Sequence, residues 1–303
     1  MTTTMLSTSY QVFFEVANCL SFSKASRKLY LTQPAVSKHV KKLEHELGVS
    51  LFVRQGSSIS LTLAGKKLQE YLHQAKIIQN GIEFDLGVIK KLEEARGVLN
   101  VGSSTTISLY ILPKIISLVH KKYPNIQLRL LNRNAENVLK ALLDKEIDLG
   151  VIEGGHKISS VSYQYFTDDE VIAVCSVHSP FANRVIQLED LKQVPLALRE
   201  QGSGTLSALY DALEAQGLRP KELNVKVKIG GTEALKNFLK EDVCLGFLPR
   251  RSVLSELENK TMKEVEIEGL SIHRKFYFIM RQGEGKAGII KEFIKTAKIY
   301  YNQ

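Results

Sequence analysis

A basic helical hairpin between Ser21 and Phe52 sets the strongest limit on how this chain folds. Its first helix is predicted to run to Leu29 with Ser23 as N-cap, because a serine oxygen accepts hydrogen bonds from the free N–H groups of a first turn. Thr32 is predicted to cap a second helix, and Pro34 suits the first turn, where no N–H is needed. The apolar residues of that second helix follow helical spacing and are predicted to face the core: Val36, Val40, Leu43 and Leu47.

The charge of this hairpin indicates a polyanionic partner. No acidic residue lies between Val16 and Leu43, whereas this stretch contains Lys24, Arg27, Lys28, Lys38, Lys41 and Lys42. A helix in the major groove reads base edges with its first turn, while lysines and arginines hold phosphates. An ordinary amphipathic helix pair would explain the spacing equally well. The missing acids and the Thr-Gln-Pro start favour a DNA-binding helix-turn-helix.

Short motifs follow one another in a fixed order through the first 65 residues: Ser21-Phe22-Ser23, Thr32-Gln33-Pro34-Ala35-Val36-Ser37, Leu43-Glu44, Leu47-Gly48, Leu51-Phe52, Leu61-Thr62 and Ala64-Gly65. Their order and spacing resemble the N-terminal signature of LysR-type transcriptional regulators. The resemblance implies a winged helix-turn-helix on double-stranded DNA, an operator made of an inverted repeat, and a two-lobed effector domain similar to periplasmic solute-binding proteins. RNA polymerase is a further candidate partner.

The resemblance also implies which side chains touch DNA: Ser23, Thr32, Gln33, Pro34, Ser37, Lys38, Lys41, Lys42 and Arg54. Base edges are assigned to Thr32, Gln33, Ser37 and Lys38, and phosphates to the remaining cations. Arg54 lies on a predicted hairpin, the wing, formed by apolar runs at 51–53 and 59–61 around a polar tip. A purely structural surface role for Arg54 is an equal alternative.

A long helix is predicted from Ala64 to about Glu94, with Thr62 as its cap. Its apolar residues recur at steps of three and four: Leu68, Leu72, Ala75, Ile78, Ile82, Leu86 and Ile89. A helix of about 30 residues is roughly 45 Å long, more than a small domain can cover. A second copy of the chain is therefore expected to cover this stripe. The resemblance extends the expectation from a homodimer to a homotetramer.

The remaining chain alternates predicted strands and helices, which is typical of an α/β sheet rich in parallel strands. With 303 residues, 44% of them hydrophobic, several full-sized cores are expected. The predicted fold is thus α/β, and the resemblance to LysR-type regulators implies a winged helix-turn-helix, a linker helix and a two-lobed effector domain. The expected domains are 1–65, 66–96 and 97–303, the last divided into lobe I (97–162 and 269–303) and lobe II (163–268).

Three strand-to-helix turns carry small polar residues, namely 103–106, 202–205 and 230–232. Helix N-termini favour anions, and ligands of α/β sheets bind at the carboxyl ends of strands. Ordinary capping would explain any one of these turns. Together they predict a small, anionic metabolite as effector, contacted by Ser103, Ser104, Thr105, Ser203, Gly204, Thr205 and Thr232. Residues 199–205 resemble the subgroup that governs carbon fixation and sulfur or cysteine metabolism, although Leu206 stands where many members have arginine.

Other classes of function find less support in the sequence. The histidines and cysteines lack metal-ligand spacing, and the Gly202-Ser203-Gly204 turn fits neither a nucleophile elbow nor a dinucleotide fingerprint, so neither catalysis nor a metal or other cofactor is predicted. Asp168-Asp169-Glu170 is interpreted as a turn between two strands. A solute-binding protein and an α/β enzyme with a basic extension remain as alternatives.

The expected location is the cytoplasm. Cys19, Cys175 and Cys244 form no evident pairing framework, and the two later ones lie in apolar strands typical of a core. The N-terminus lacks the pattern of a secretory signal, and no apolar run approaches the roughly 20 residues of a membrane span. The net charge of +9 agrees with a polyanionic partner but does not by itself identify it.

Overall fold

The computed structural model describes residues 6–55, 58–154, 157–285 and 288–301. The chain divides into two compact units, Met1–Asp85 and Leu86–Gln303. The elements of the first unit, together with the helix that runs out of it, are α1 (Thr8–Cys19), α2 (Phe22–Leu29), α3 (Gln33–Leu47), β1 (Phe52–Gln55), β2 (Ser58–Leu61) and α4 (Leu63–Lys90).

The first unit is held by apolar faces of α1, α2 and α3. One cluster of buried side chains comprises Val12, Val16, Ala25, Val36 and Val40. The helical spacing predicted for α3 is therefore confirmed for its first residues. Leu47 was predicted to face the core but is 40% exposed, because it lies in the last turn beside the exposed Gly48.

The two caps of the hairpin differ in outcome. Thr32 Oγ1 accepts from the Ala35 N–H at 3.4 Å, as predicted for α3. The cap of α2 is Ser21 and not Ser23, since Ser21 Oγ accepts from the Lys24 N–H at 3.2 Å. The helix therefore begins earlier than expected, and the Ser23 hydroxyl is free to bond elsewhere.

The wing hairpin and the long helix follow directly. Strands β1 and β2 pair antiparallel, while the tip at 56–57 and the contact predicted for the Arg54 side chain lie outside the described residues. Thr62 Oγ1 caps α4 by accepting from the Gly65 N–H at 3.0 Å. The helix ends at Lys90, earlier than Glu94, and a short 3₁₀ turn follows at Leu92–Glu94.

The second unit alternates strands and helices, as predicted. Its elements are β3 (Gly97–Ser103), α5 (Thr105–Tyr110), α6 (Leu112–Lys122), β4 (Ile126–Asn132), α7 (Ala135–Leu143), β5 (Leu149–Glu153), β6 (Val161–Ser176), β7 (Val185–Ile186), β8 (Leu196–Arg199), α8 (Gly204–Ala215), β9 (Val225–Ile229), α9 (Thr232–Glu241), β10 (Leu245–Pro249), α10 (Leu254–Glu258), β11 (Met262–Glu264), β12 (Glu266–Ile267), β13 (Ile272–Arg281) and α11 (Gly288–Tyr301).

The main sheet of this unit has the strand order β4-β3-β5-β13-β6-β10-β8-β9, with β11 also paired to β6. Strand β3 is parallel to β4 and β5, and β8 is parallel to β9 and β10. The long strands β6 and β13 are antiparallel and join these two halves. The sheet thus has two lobes, each built on parallel strands, and one pair of crossing strands connects them.

Two predicted elements differ from the structure. Strand β6 is one strand of 16 residues, although Asp168-Asp169-Glu170 was interpreted as a turn. The strand continues because β13 pairs along it and arginines neutralise the carboxylates, as Arg274 does for Asp169. The second difference follows β3, where the apolar residues Leu112, Ile115, Ile116 and Val119 predict one helix from Ser108 to Lys122. The structure instead has a break at Ile111, because Pro113 lacks the N–H that an uninterrupted helix needs.

Candidate nucleic-acid interface and ligand site

The exposed side of α3 brings together most of the side chains predicted to touch DNA. Burial of Val36, Val40 and Leu43 fixes the rotation of the helix, so that the opposite side faces solvent. A groove on that side is lined by Pro34, Ser37, Lys38, Lys41 and Lys42. Thr32 and Gln33 are also exposed, at the start of the same helix. This surface combines polar side chains at the first turn with lysines further along.

Ser23 and Gln33 form a direct contact between the two helices of the hairpin. The Ser23 hydroxyl donates to Gln33 Oε1 at 3.0 Å. An oxygen that accepts from serine fixes the amide plane and leaves the Gln33 NH₂ group pointing away as a donor. Ser23 thus lies beside Gln33, a side chain predicted to contact base edges, and orients its amide.

The lysines of the hairpin are not equivalent. Lys28 pairs with Glu15, whose hydrogen bond raises the Lys28 pKa. Lys42 approaches Glu46 at 3.7 Å, with both side chains well exposed. Within the described part of the chain, Lys38 and Lys41 form no ion pair, so their charges are available to a polyanion. A lysine that contacts phosphates attracts DNA without reading its sequence, whereas one that contacts base edges reads it.

In the second unit, the turns before α5 and α8 meet at a small polar cavity. Its volume is about 10 Å³, the space of a single water molecule. Its lining consists of Ser104, Thr105, Thr106, Asn134, Ala135, Glu153, Arg199, Ser203, Gly204 and Thr205. Five of the seven predicted effector residues are therefore brought together, from two turns about 100 positions apart in sequence.

The other two predicted effector residues lie behind this cavity. Ser103 is fully buried and its hydroxyl lies 2.5 Å from that of Ser108. Thr232 Oγ1 accepts from Arg199 at 2.6 Å and so supports a lining residue rather than lining the cavity itself. The third predicted turn contributes through Arg199 and not by direct contact.

Arg274 is buried behind this cavity, with its side chain 4% exposed. It donates to Glu153 at 3.0 Å and to Asp169 at 2.8 Å. It also donates to Thr205 of α8 at 3.1 Å and to Thr106 of α5 at 3.2 Å. One side chain on a crossing strand thus holds the first turns of two helices from opposite halves of the sheet.

Three arginines and three carboxylates form ion pairs in the wall of the cavity and behind it. Asp169 accepts from Arg251 at 2.6 Å as well as from Arg274. Arg199 is 3% exposed and donates to Glu200 at 2.7 and 2.9 Å. Burial acts to raise the Glu200 pKa, but Arg199 outweighs it and lowers that pKa below its ordinary value. A fourth ion pair joins Glu153 to Arg274, so that each of these three arginines is paired with at least one carboxylate.

Sequence reasoning missed Glu153, Arg199, Arg274 and Asp169 as site residues. A signal existed for Glu153, since a carboxylate that ends a fully apolar strand requires a partner. The backbone of Gly204 packs directly against Glu153, because a Cβ on Gly204 would lie 2.5 Å from Glu153 Cδ. The contacts of Arg274 had no such local signal, since they depend on residues far away in the chain.

Three other observations bear on the function. Among the described residues, no group of three or more His, Cys, Asp or Glu side chains is arranged to hold a metal ion, and no helix has the length and hydropathy of a membrane span. Cys175 and Cys244 are buried, at 0% and 5% exposure. Burial raises both thiol pKa values, that of Cys244 to about 11.

Two family models cover almost the whole chain. The helix-turn-helix model of bacterial regulatory proteins of the lysR family matches residues 8–66. The LysR substrate binding domain matches residues 92–299. The first match contains the basic hairpin and the wing, and the second contains the polar cavity.

Relatives along the full length are transcriptional regulators. The HTH-type transcriptional regulator YeiE of Escherichia coli (strain K12) is 30% identical over 94% of this chain and 94% of its own. The RuBisCO operon transcriptional regulator of Allochromatium vinosum is 28% identical over 94% and 93%. The regulator CysL of Bacillus subtilis (strain 168) is 28% identical over 89% of both chains. The predicted resemblance to carbon-fixation and cysteine regulators is confirmed.

Solved structures share the fold. A full-length OxyR variant from Pseudomonas aeruginosa superposes with a TM-score of 0.66 at 20% identity, over 99% of this chain and 95% of that one. The CbnR structure in complex with its target DNA gives 0.58 at 17% identity, over 97% and 98%. The Synechocystis PCC6803 CcmR regulatory domain, in complex with 2-PG, gives 0.62 at 22% identity, over 69% and 99%. With both of its family domains and full-length relatives that are regulators and not enzymes, this chain belongs to the LysR family of DNA-binding transcriptional regulators.

Proposed function

We propose that the chain acts as a dimer on an inverted-repeat operator, with α3 in the major groove and a small acidic effector bound between α5 and α8. The observation that carries the effector part of this proposal is the convergence of the turns before α5 and α8 on one polar cavity, bridged by Arg274. The DNA part, the dimer part and the effector part rest on three separate features of the molecule, namely the exposed side of α3, the helix α4 and this cavity.

The DNA part rests on the exposed side of α3. Thr32, Gln33, Ser37 and Lys38 are assigned to base edges, and Lys41, Lys42 and Arg54 to phosphates, with Ser23 and Pro34 at the rim. Exposure of Gln33 and Lys38, and the groove along Lys41 and Lys42, support this assignment. The domain boundaries 1–65, 66–96 and 97–303 are part of the proposal, and the gap between the family matches at 8–66 and 92–299 supports a linker between two domains.

The dimer part rests on α4. Its apolar stripe is left exposed in the single chain: Ile78 is 58% exposed, Ile82 42%, Leu86 55% and Ile89 78%. Apolar residues at helical spacing along an uncovered helix favour pairing with a second helix of the same kind. Two copies present two copies of α3, which fits a pair of half-sites. Pairing of dimers into a tetramer would double this arrangement.

The effector part rests on the cavity. The N-terminus of α8 favours negative charge, and the hydroxyls of Thr105, Ser203 and Thr205 add donors. The CcmR regulatory domain with bound 2-PG supports a small-molecule effector for this fold. Since α5 and α8 belong to different lobes, a ligand between them alters lobe separation to the extent of its differential affinity for the two states.

A cytoplasmic location and RNA polymerase as a further partner complete the proposal. A protein that regulates promoters acts where the chromosome and polymerase are. A solute-binding role is less well supported, because it leaves the basic face of α3 without a purpose.

The test is fluorescence anisotropy with the DNA upstream of this protein's own gene and a shuffled duplex, across a salt series. We expect tighter binding to the natural duplex, with affinity that falls steeply as salt rises. Gln33→Ala should reduce the ratio of specific to nonspecific affinity, whereas Lys41→Ala should weaken both about equally and flatten the salt slope. No binding to either duplex at low salt would contradict the proposal.

A further inference from the structure

Two polar atoms in the cavity lack a hydrogen-bond partner in the described structure. Glu153 is 6% exposed, and its Oε1 accepts from Arg274 while its Oε2 accepts from nothing. Ser104 is 3% exposed and its hydroxyl is also unpartnered, since it does not cap α5. Both residues line the same cavity. A buried polar atom without a partner is costly, and a carboxylate oxygen more so than a hydroxyl.

The cations around the cavity are already engaged with protein groups. Arg199 donates through Nε and Nη2 to Glu200 and through Nη1 to Thr232. Arg274 donates to two carboxylates and two hydroxyls. An incoming anion therefore meets no unpaired positive side chain among these two, but it does meet the unpartnered oxygen of Glu153. A fully deprotonated acid would be repelled at that point.

Glu153 also lies beside the N-terminus of α8. A Cβ on Gly204, the first residue of that helix, would lie 2.7 Å from Glu153 Oε2. The carboxylate thus already supplies negative charge where the helix dipole favours it. A second negative charge is therefore not needed beside Glu153. The group that is missing there is a hydrogen-bond donor to Glu153 Oε2.

We infer that the effector is a small acid that also carries a hydrogen-bond donor, which it gives to Glu153 Oε2. A protonated oxyanion, a hydroxy acid and an amino acid share this chemistry. The inference rests on the proposed effector site and narrows its ligand class from anions in general. The cavity holds about one water, so entry of such a ligand requires the two lobes to part or the Glu153 side chain to turn.

The test compares acids that match in size and differ in the donor. Phosphate is paired with sulfate, and glycolate with acetate, each titrated into the full-length protein by calorimetry at constant ionic strength. We expect the donor-bearing member of at least one pair to bind about tenfold tighter or more, since a missing partner for a buried polar group is worth one factor of ten or more. In Glu153→Gln that preference should shrink towards equality, because the new amide can donate to an oxyanion.

Glu189→Gln is the matched control, since among the described contacts this exposed carboxylate pairs with the nearby Lys192 and lies outside the cavity lining. It should keep the preference of the natural protein. The comparison in the natural protein tests the inference even if Glu153→Gln fails to fold.

Binding of both members of each pair with equal affinity would overturn this inference and leave the proposed effector site standing. An unchanged preference in a folded Glu153→Gln protein would overturn it as well. No binding of any of the four acids, in a protein that still binds its operator, would overturn both this inference and the effector part of the proposed function.

Discussion

Arg274 and Asp169 face each other across the crossing strands β6 and β13, with nitrogen-to-oxygen distances of 2.7 and 2.8 Å. Both side chains are almost fully buried, at 4% and 1% exposure. The pair lies where the sheet passes from one lobe to the other, and the same guanidinium reaches Thr106 and Thr205. It therefore holds together the strands that join the lobes and the helices that flank the cavity.

Replacing Arg274 by alanine should strongly destabilise the second unit. The change leaves the Asp169 and Glu153 carboxylates buried, with Glu153 losing its only protein donor among the described contacts. Breaking a buried ion pair from one side costs about 3–5 kcal/mol. Scanning calorimetry of the full-length protein should show the transition of this unit at a clearly lower temperature.

Arg219→Ala is the control for that experiment, since Arg219 is 64% exposed and pairs with Glu222 at the surface. Its transition should stay close to that of the natural protein, because exposed ion pairs contribute little. Equal decreases in the unfolding temperature for the two variants would show that the buried ion pairs of Arg274 stabilise the second unit no more than a surface pair does.

The DNA-binding part was predictable because its signals are local. The Thr32 cap, the apolar spacing of Val36 and Val40, and the acid-free basic stretch all lie within one short segment. The cavity was predictable in part, because small polar turns before helices mark the carboxyl ends of strands. Its charged centre was not, because Arg274 lies 105 positions from Asp169 and 121 from Glu153. The register of β13 against β6 on one side and against β5 on the other brings these charges together. No local signal reveals that pairing, which is why the acidic run at 168–170 looked like a turn.

Ser23→Ala should reduce the sequence preference of DNA binding, although we expect Ser23 to act through Gln33 and not by touching a base. The change removes the donor that fixes Gln33 Oε1, so that the Gln33 amide is free to rotate. Anisotropy should show a loss of up to about tenfold in the ratio of specific to nonspecific affinity, within the range of one good base contact. The affinity for the shuffled duplex should stay nearly the same.

A double-mutant cycle with Gln33→Ala separates this from a direct contact of Ser23. If Ser23 acts through Gln33, then Ser23→Ala should have little further effect in the Gln33→Ala protein. Additive losses in the double variant would mean that Ser23 touches DNA independently.

Ile82→Asp should dissociate the proposed dimer. Ile82 lies in the middle of the exposed apolar stripe of α4, at 42% exposure, and an aspartate there would place an unpaired charge in the helix pair. Sedimentation velocity should show a shift towards the single chain, and operator affinity should fall with it. Asn80→Asp adds the same charge on the opposite side of the helix, where Asn80 is exposed, and should leave the assembly intact. If both variants dissociate the dimer, the added negative charge is the cause, and the apolar stripe of α4 is not shown to be the contact.

The thiols should resist oxidation and labelling in the folded protein, unlike those of a regulator that senses peroxide by cysteine chemistry. Burial raises the pKa of Cys175, and burial together with Asp242 raises that of Cys244 to about 11. Because the thiolate is the reactive form, a pKa near 11 leaves about one thousandth of Cys244 reactive at pH 8. Burial and the Glu15 carboxylate also raise the pKa of Cys19, which is only half-buried.

Labelling with a thiol reagent at pH 8 tests this directly. Native protein should react slowly and only at Cys19, so that Cys19→Ser abolishes the native reaction, while unfolding in urea should release Cys175 and Cys244 together. Peroxide should then leave operator affinity unchanged in both proteins. Fast labelling of folded Cys19→Ser would show that Cys175 or Cys244 is accessible to the reagent. A peroxide effect on operator affinity that persists in Cys19→Ser would assign a redox role to one of these two thiols.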